Sequence, residues 1–163
     1  MNQREQDLIK AYGASWPKLV NRESEPGEVA LSFAIEGFEP FKIRLLVKAA
    51  PLIGNALLTK LPLSGHLIHS AWSGCGVRGL ESVALPGIDE HENSTYFPVP
   101  GDFCYTVGHD EITMFYGDAS PTMPSGKVRE SVVGVVDGRL PEFQRACILT
   151  RLTGARPFQL KRS

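Results

Sequence analysis

Several side chains in this chain have the chemistry for binding or catalysis, and their spacing limits what they can do together. His66 and His69 lie three residues apart in an apolar run, and Cys75 sits between two glycines a few positions on. Strand residues three apart point to opposite faces, so the two imidazoles do not converge on one metal ion. No zinc-type ligand spacing links them to His91, His109 or Cys75, and no metal and no cofactor is expected. Cys75 has no base or cation beside it in sequence to make it a thiolate nucleophile. Glu130 lies inside an otherwise apolar strand, residues 128–136. A carboxylate there either faces solvent or points into a pocket with a raised pKa, and both readings stand open.

The aromatic residues add a second set. Trp72 follows the small pair Ser70 and Ala71 and precedes a glycine-rich stretch. It either packs in the core or at a rim, or lines a ligand groove where small residues allow close backbone approach. Tyr96 follows the polar run 89–95, which reads as a solvated loop or as a pocket rim. Phe115 and Tyr116 are adjacent at a strand end, so one is expected in the core and the other exposed or groove-lining. The candidate ligand-binding residues are therefore Trp72, Tyr96 and Tyr116, with Glu81 and Glu130 as polar members. Motifs with sharper meaning are missing: no nucleophile elbow, no P-loop and no dinucleotide-binding glycine fingerprint occurs.

The elements that must hold these residues are mostly strands. Residues 29–35 and 41–47 alternate apolar with small or polar residues and read as an antiparallel hairpin. Pro51 opens a helix with Leu52, Ala56, Leu57 and Leu61 at helical spacing, and Pro62 ends it. Strands are then expected at 66–72 and 77–85 with a turn at 73–76 between them, a short edge strand at 95–99, and two strands at 102–107 and 111–117. Residues 128–138 form a β-branched strand, 140–152 a second helix and 154–162 a closing strand. Residues 3–12 read as a short helix, with Leu8, Ile9 and Tyr12 on one face. Many short strands with few helices point to a mainly β, closed barrel, which leaves no exposed sheet edge. The helices plug or flank its ends. Residues 1–27 form a helical extension and loop, and residues 28–163 form the barrel domain.

Bulk properties narrow the function. A chain of 163 residues with a net charge of −1 fits one globular domain and gives no electrostatic footprint for nucleic acid or a membrane surface. No apolar run reaches the ~18 residues of a membrane span. Three cysteines, an odd number and far apart, suit a reducing compartment, and the polar N-terminus is no secretory signal, so a cytoplasmic protein is expected.

The order of motifs resembles the cyclophilin-like barrel. Residues 48–62 resemble its first alanine-proline-led helix, 101–117 its pair of strands ending in aromatics, and 131–146 its strand-turn-helix. Residues 69–74, 92–102 and 114–117 are similar to an uncharacterised bacterial and archaeal cyclophilin-like family. The resemblance implies a groove on the barrel that binds a small molecule or a short peptide, and it leaves a homo-oligomer open. True cyclophilins are prolyl isomerases that use an arginine on the third strand, followed later by a glutamine-glycine run. Here residues 66–72 carry histidine but no arginine, and the glutamine-glycine run is absent; Arg78 follows shortly after. Three functions follow as expectations: a binding module or accessory subunit, a prolyl isomerase, or another enzyme using the same groove.

Overall fold

Alternation along the strands closes this sheet into a barrel. In the computed structural model, which describes residues 2–7 and 29–163, β1 (Val29–Ile35) and β2 (Phe41–Leu45) form the expected hairpin. Leu31, Phe33, Ile35, Phe41, Ile43 and Leu45 all fall on its buried face. The chain continues through helix α1 (Pro51–Lys60), β3 (Leu63–His69), β4 (Gly74–Gly79), β5 (Ser94–Thr95), β6 (Asp102–Thr106) and β7 (Glu111–Ala119). A small hairpin, β8 (Thr122–Met123) and β9 (Gly126–Lys127), precedes β10 (Glu130–Val136), helix α2 (Leu140–Thr153) and β11 (Arg156–Arg162).

The main sheet runs β2-β1-β11-β3-β4-β7-β6-β10, and β10 pairs back onto β2. Every pairing is antiparallel, so eight strands close into a barrel with β5 added beside β10. Its interior holds the apolar sets of β1, β2, β6, β7 and β11, including Phe33, Phe103, Tyr105, Met114 and Leu160. Both helices add to the same core: Ile53 and Leu57 from α1, and Phe143, Ala146 and Cys147 from α2. Phe143 meets Phe41 edge-on at 5.6 Å between ring centroids.

Local chemistry accounts for the element ends. Helix α1 has no side-chain cap of its own. Glu92, forty residues away, supplies one: its carboxylate accepts the Leu52 and Ile53 N–H groups at 3.1 and 2.8 Å. A carboxylate at a helix N-terminus satisfies orphan donors and complements the helix dipole. The loop 80–93 is further tied down by Asn93, which donates to the Val132 carbonyl, and by His91, which bonds the Ser131 hydroxyl. At residues 98–101 the chain turns: Val99 N–H donates to Asp102 Oδ2 at 2.8 Å, and Gly101 takes φ +95°.

Several expectations about this region need correcting. The turn between β3 and β4 falls at residues 70–73, not 73–76, so Trp72 stands on a turn and not in a strand. β4 ends at Gly79, and residues 80–85 are loop. The edge strand comprises Ser94 and Thr95, and Tyr96 lies just beyond it. On α1, Ile53, Gly54 and Leu57 are buried while Leu52 is 65% exposed, because helical spacing puts 53, 54 and 57 on one face and turns Leu52 away from it. Of the expected N-terminal helix, residues 3–7 are helical; Leu8, Ile9 and Tyr12 lie outside the described residues.

The seam between β2 and β10 admits no side chain at Gly134. A Cβ there would stand 3.0 Å from the Arg44 carbonyl oxygen and 3.0 Å from Ile43 Cγ2. The same residue borders an irregularity in the β10–β6 register. Gly134→Ala is expected to lower stability by about 1–3 kcal/mol through overpacking. Urea denaturation checks this: an unshifted midpoint means the seam can spread to accept a methyl group.

Candidate functional site

Period-2 alternation puts a second set of side chains on the outside of the barrel wall. On β7, Ile112, Met114 and Tyr116 join the core, which turns Glu111, Thr113 and Phe115 outward. Phe115 does not reach solvent, since it packs with Leu46, Cys104 and Val132 in a small outer cluster. Both aromatics at this strand end are therefore buried and face opposite ways; neither is exposed, and Tyr116 is the one that borders a hollow.

Above this outer face lies a cavity of about 280 Å³. Its wall is mixed: Ile68, Met123 and Val128 are apolar, and the polar members are Arg78 from β4, Thr106 from β6, Glu111 and Thr113 from β7, and Glu130 from β10. Trp72 and its neighbours in the 70–73 turn form one lip, and Thr122 and Met123 of β8 the other. The two lips are joined: Ser120 N–H donates to the Ser73 carbonyl at 3.1 Å.

Glu130 is the chemical centre of this cavity. It is 3% exposed, and its Oε2 accepts hydrogen bonds from the Thr106 and Thr113 hydroxyls at 2.8 and 2.9 Å. Of the two sequence readings, the pocket-facing one describes its position. Burial pushes its carboxyl up to about 7, the two threonine hydroxyls pull it down, and the Glu111 charge adds to the rise. Glu111 is itself paired with Arg78, whose guanidinium donates to it at 2.7 Å. The side chain of His69, which also lines the cavity, bonds Tyr116 Oη at 3.0 Å, and burial lowers its pKa, with Arg151 adding to the effect.

The candidate residues separate into distinct places. Trp72, 63% exposed, and Glu130 share the cavity. Tyr96 lines another hollow, where the Arg129 guanidinium lies 5.2 Å from its ring centroid. Tyr116 is a core residue that borders a third hollow beside α2, with Cys75 and Arg151. Glu81 sits at the surface, bonded to His66 Nδ1 at 2.7 Å, and that histidine holds its carboxyl below the usual range. Arg78, Glu111, Thr106 and Thr113 complete the cavity and were not singled out as a set. Their only sequence signal is the alternation that places Thr113 two residues after Glu111. Among the described residues no group of three or more His, Cys, Asp or Glu side chains is placed to hold a metal ion, and no helix is long and apolar enough to cross a membrane.

These features define a class: a mainly β protein whose closed eight-stranded antiparallel barrel carries a small cavity with several polar side chains on its outer wall. Residues 32–162 match the DUF3830 family, described as a protein of unknown function, and the chain belongs to that family. No curated protein matches the chain. Among solved structures it is similar to McbB, determined in complex with tryptophan, at 16% identity and a TM-score of 0.62 over 82% of this chain. The match spans 44% of McbB, and at that identity it shows the barrel fold alone. A solution structure of the hypothetical protein AF2241 from Archaeoglobus fulgidus matches at 18% identity and a TM-score of 0.49, covering 83% of this chain and 95% of that one.

Burying Glu130 has a measurable cost. With a folded pKa near 7 against an ordinary 4.5, the folded state holds the proton more tightly than the unfolded chain. The group's contribution to stability is therefore full below about pH 4.5 and is lost as pH rises toward 7, a change on the order of 3 kcal/mol. Glu130→Gln is expected to flatten this decline and to melt above the parent at pH 8. Thermal melts of both proteins from pH 5 to 8 decide it; parallel curves would mean that Glu130 does not titrate in this window.

Proposed function

We propose that this protein is a cyclophilin-like barrel that binds a small molecule in the outer-wall cavity, with Trp72 as a contact plate and Glu130 as the polar anchor. The observation that carries this reading is the buried carboxylate of Glu130 opening onto a concave site. A folded chain bears the desolvation of a carboxylate where the group has a task, and perturbed acids in clefts mark functional sites. The cavity volume of about 280 Å³ favours a ligand of modest size over a long peptide. Three free cysteines and a net charge of −1 fit a cytoplasmic protein whose partner is neither nucleic acid nor a membrane.

One observation favours a second reading, prolyl isomerase: Arg78 does line the cavity. In that reading its guanidinium must leave Glu111 to polarise a prolyl amide. Magnetisation exchange on an alanine-proline peptide tests this, with acceleration lost in Arg78→Ala supporting it and unchanged exchange eliminating it.

Small-ligand binding is tested by a thermal-shift screen of a diverse compound set. Ligands that bind only the native state raise the melting temperature. Hits are expected to weaken by about tenfold in Trp72→Ala, consistent with loss of an aromatic contact of ~1–2 kcal/mol. Trp72 is exposed enough for this variant to fold. Hits that bind Trp72→Ala and Glu130→Gln as well as the parent would place binding elsewhere and overturn the reading.

A further inference from the structure

We infer that the cavity selects a small organic amine in its protonated form, seating the ammonium group against Glu130 while Trp72 covers the carbon body. This rests on the ligand-binding reading above and deepens it to a substrate class.

Charge balance in the cavity carries the inference. Its wall holds one guanidinium and two carboxylates, and Arg78 is committed to Glu111 at 2.7 Å. Glu130 is left without a cationic partner among the described residues. Both of its hydrogen bonds there fall on Oε2, so Oε1 is open to a ligand. The donors on Oε2 are hydroxyls, which favour the ionised carboxylate without neutralising it. The remaining charged neighbours do not supply the missing cation. Arg129 lies over the Tyr96 ring and Lys127 over the Phe97 ring, each outside this cavity's lining, and His91 is bonded to Ser131. Burial disfavours the imidazolium of His69. A buried carboxylate with no counter-ion is costly, and a ligand ammonium removes that cost while gaining a charge-assisted hydrogen bond. The exposed indole of Trp72 at the lip suits the same ligand, since its face attracts cations and covers apolar carbon.

Three matched probes separate charge from shape: benzylamine, benzyl alcohol and benzoate. Titration calorimetry of each against the full chain is expected to show binding of benzylamine alone. Its affinity should rise about tenfold from pH 6 to pH 8, as a carboxyl with a pKa of about 7 ionises and the amine stays protonated. Near pH 7 about half a proton should leave per ligand bound, read from two buffers of different ionisation enthalpy. Glu130→Gln should weaken benzylamine at least tenfold and abolish the pH slope, its unliganded melt serving as the folding control. Thr113→Val removes a donor that favours the ionised form, so it should move the pH midpoint upward. Tighter binding of benzyl alcohol or benzoate, or benzylamine binding that ignores pH and Glu130→Gln, overturns the amine inference but leaves ligand binding standing. Silence from all three probes also overturns it, whereas failure of the broad screen would overturn ligand binding itself.

Discussion

Closure of the sheet between β2 and β10 is the constraint from which the rest follows. Leu45, Arg44 and Ile43 pair with Gly134, Val135 and Val136, and with that seam made the sheet has an inside and an outside. The inside must then be filled, and Phe33, Phe103, Tyr105 and Met114 with the helix residues Ile53 and Phe143 fill it. The outside is relieved of that duty. Side chains at alternate positions of β4, β6, β7 and β10 can be polar without weakening the core, and Arg78, Thr106, Glu111, Thr113 and Glu130 use that freedom. A closed wall also fixes their spacing. Thr106 and Thr113 reach Glu130 across 24 and 17 residues of sequence because β6 lies between β7 and β10.

The barrel stands in tension with its cavity. Glu130 begins the strand that makes the seam, yet burying its carboxylate on the outer wall carries an electrostatic cost. Two hydroxyl donors meet part of that cost, and the remainder appears as a carboxyl poised near neutrality. The lips of the cavity are joined above it, with the Ser120 N–H held on the Ser73 carbonyl. Fold stability and an ionisable group near neutrality thus meet in a single residue.

Elements with strong periodicity were legible in the sequence. The β1–β2 hairpin, α1 opened by Pro51, the β6–β7 pair and the β10–α2–β11 ending all lie where alternation, proline and glycine place them. The β3–β4 turn was not, because glycine has two uses. Gly74 and Gly76 resemble turn residues, but both are strand positions where a neighbour comes close: at Gly76 a Cβ would stand 3.2 Å from the Phe115 ring, and at Gly74, which also takes φ +74°, 2.7 Å from the Asp118 carbonyl. Sequence cannot tell a glycine needed for bending from one needed for clearance. The site was legible only in pieces. Glu130 stood out as a charge among β-branched residues, and Trp72 as a large ring among small ones. Tyr96, Tyr116 and Glu81 each have an environment set by distant partners, Arg129, His69 and His66. No local pattern encodes the register that brings such partners together. The run 89–95 shows the same limit, since its Glu92 caps a helix forty positions earlier.

That cap ties two segments into one mechanical unit. The loop 80–93 has little apolar burial of its own beyond Val83 and Leu85. It borrows order from α1 through Glu92 and from β10 through His91 and Asn93. If the loop lifts, α1 loses the acceptor for its first amides, and β10 loses its bonds to His91 and Asn93 just beyond Glu130. Local opening here is therefore not private to the loop. It loosens a helix end and the cavity floor together, so the irregular segment acts as a clasp on the one strand that both closes the barrel and carries Glu130.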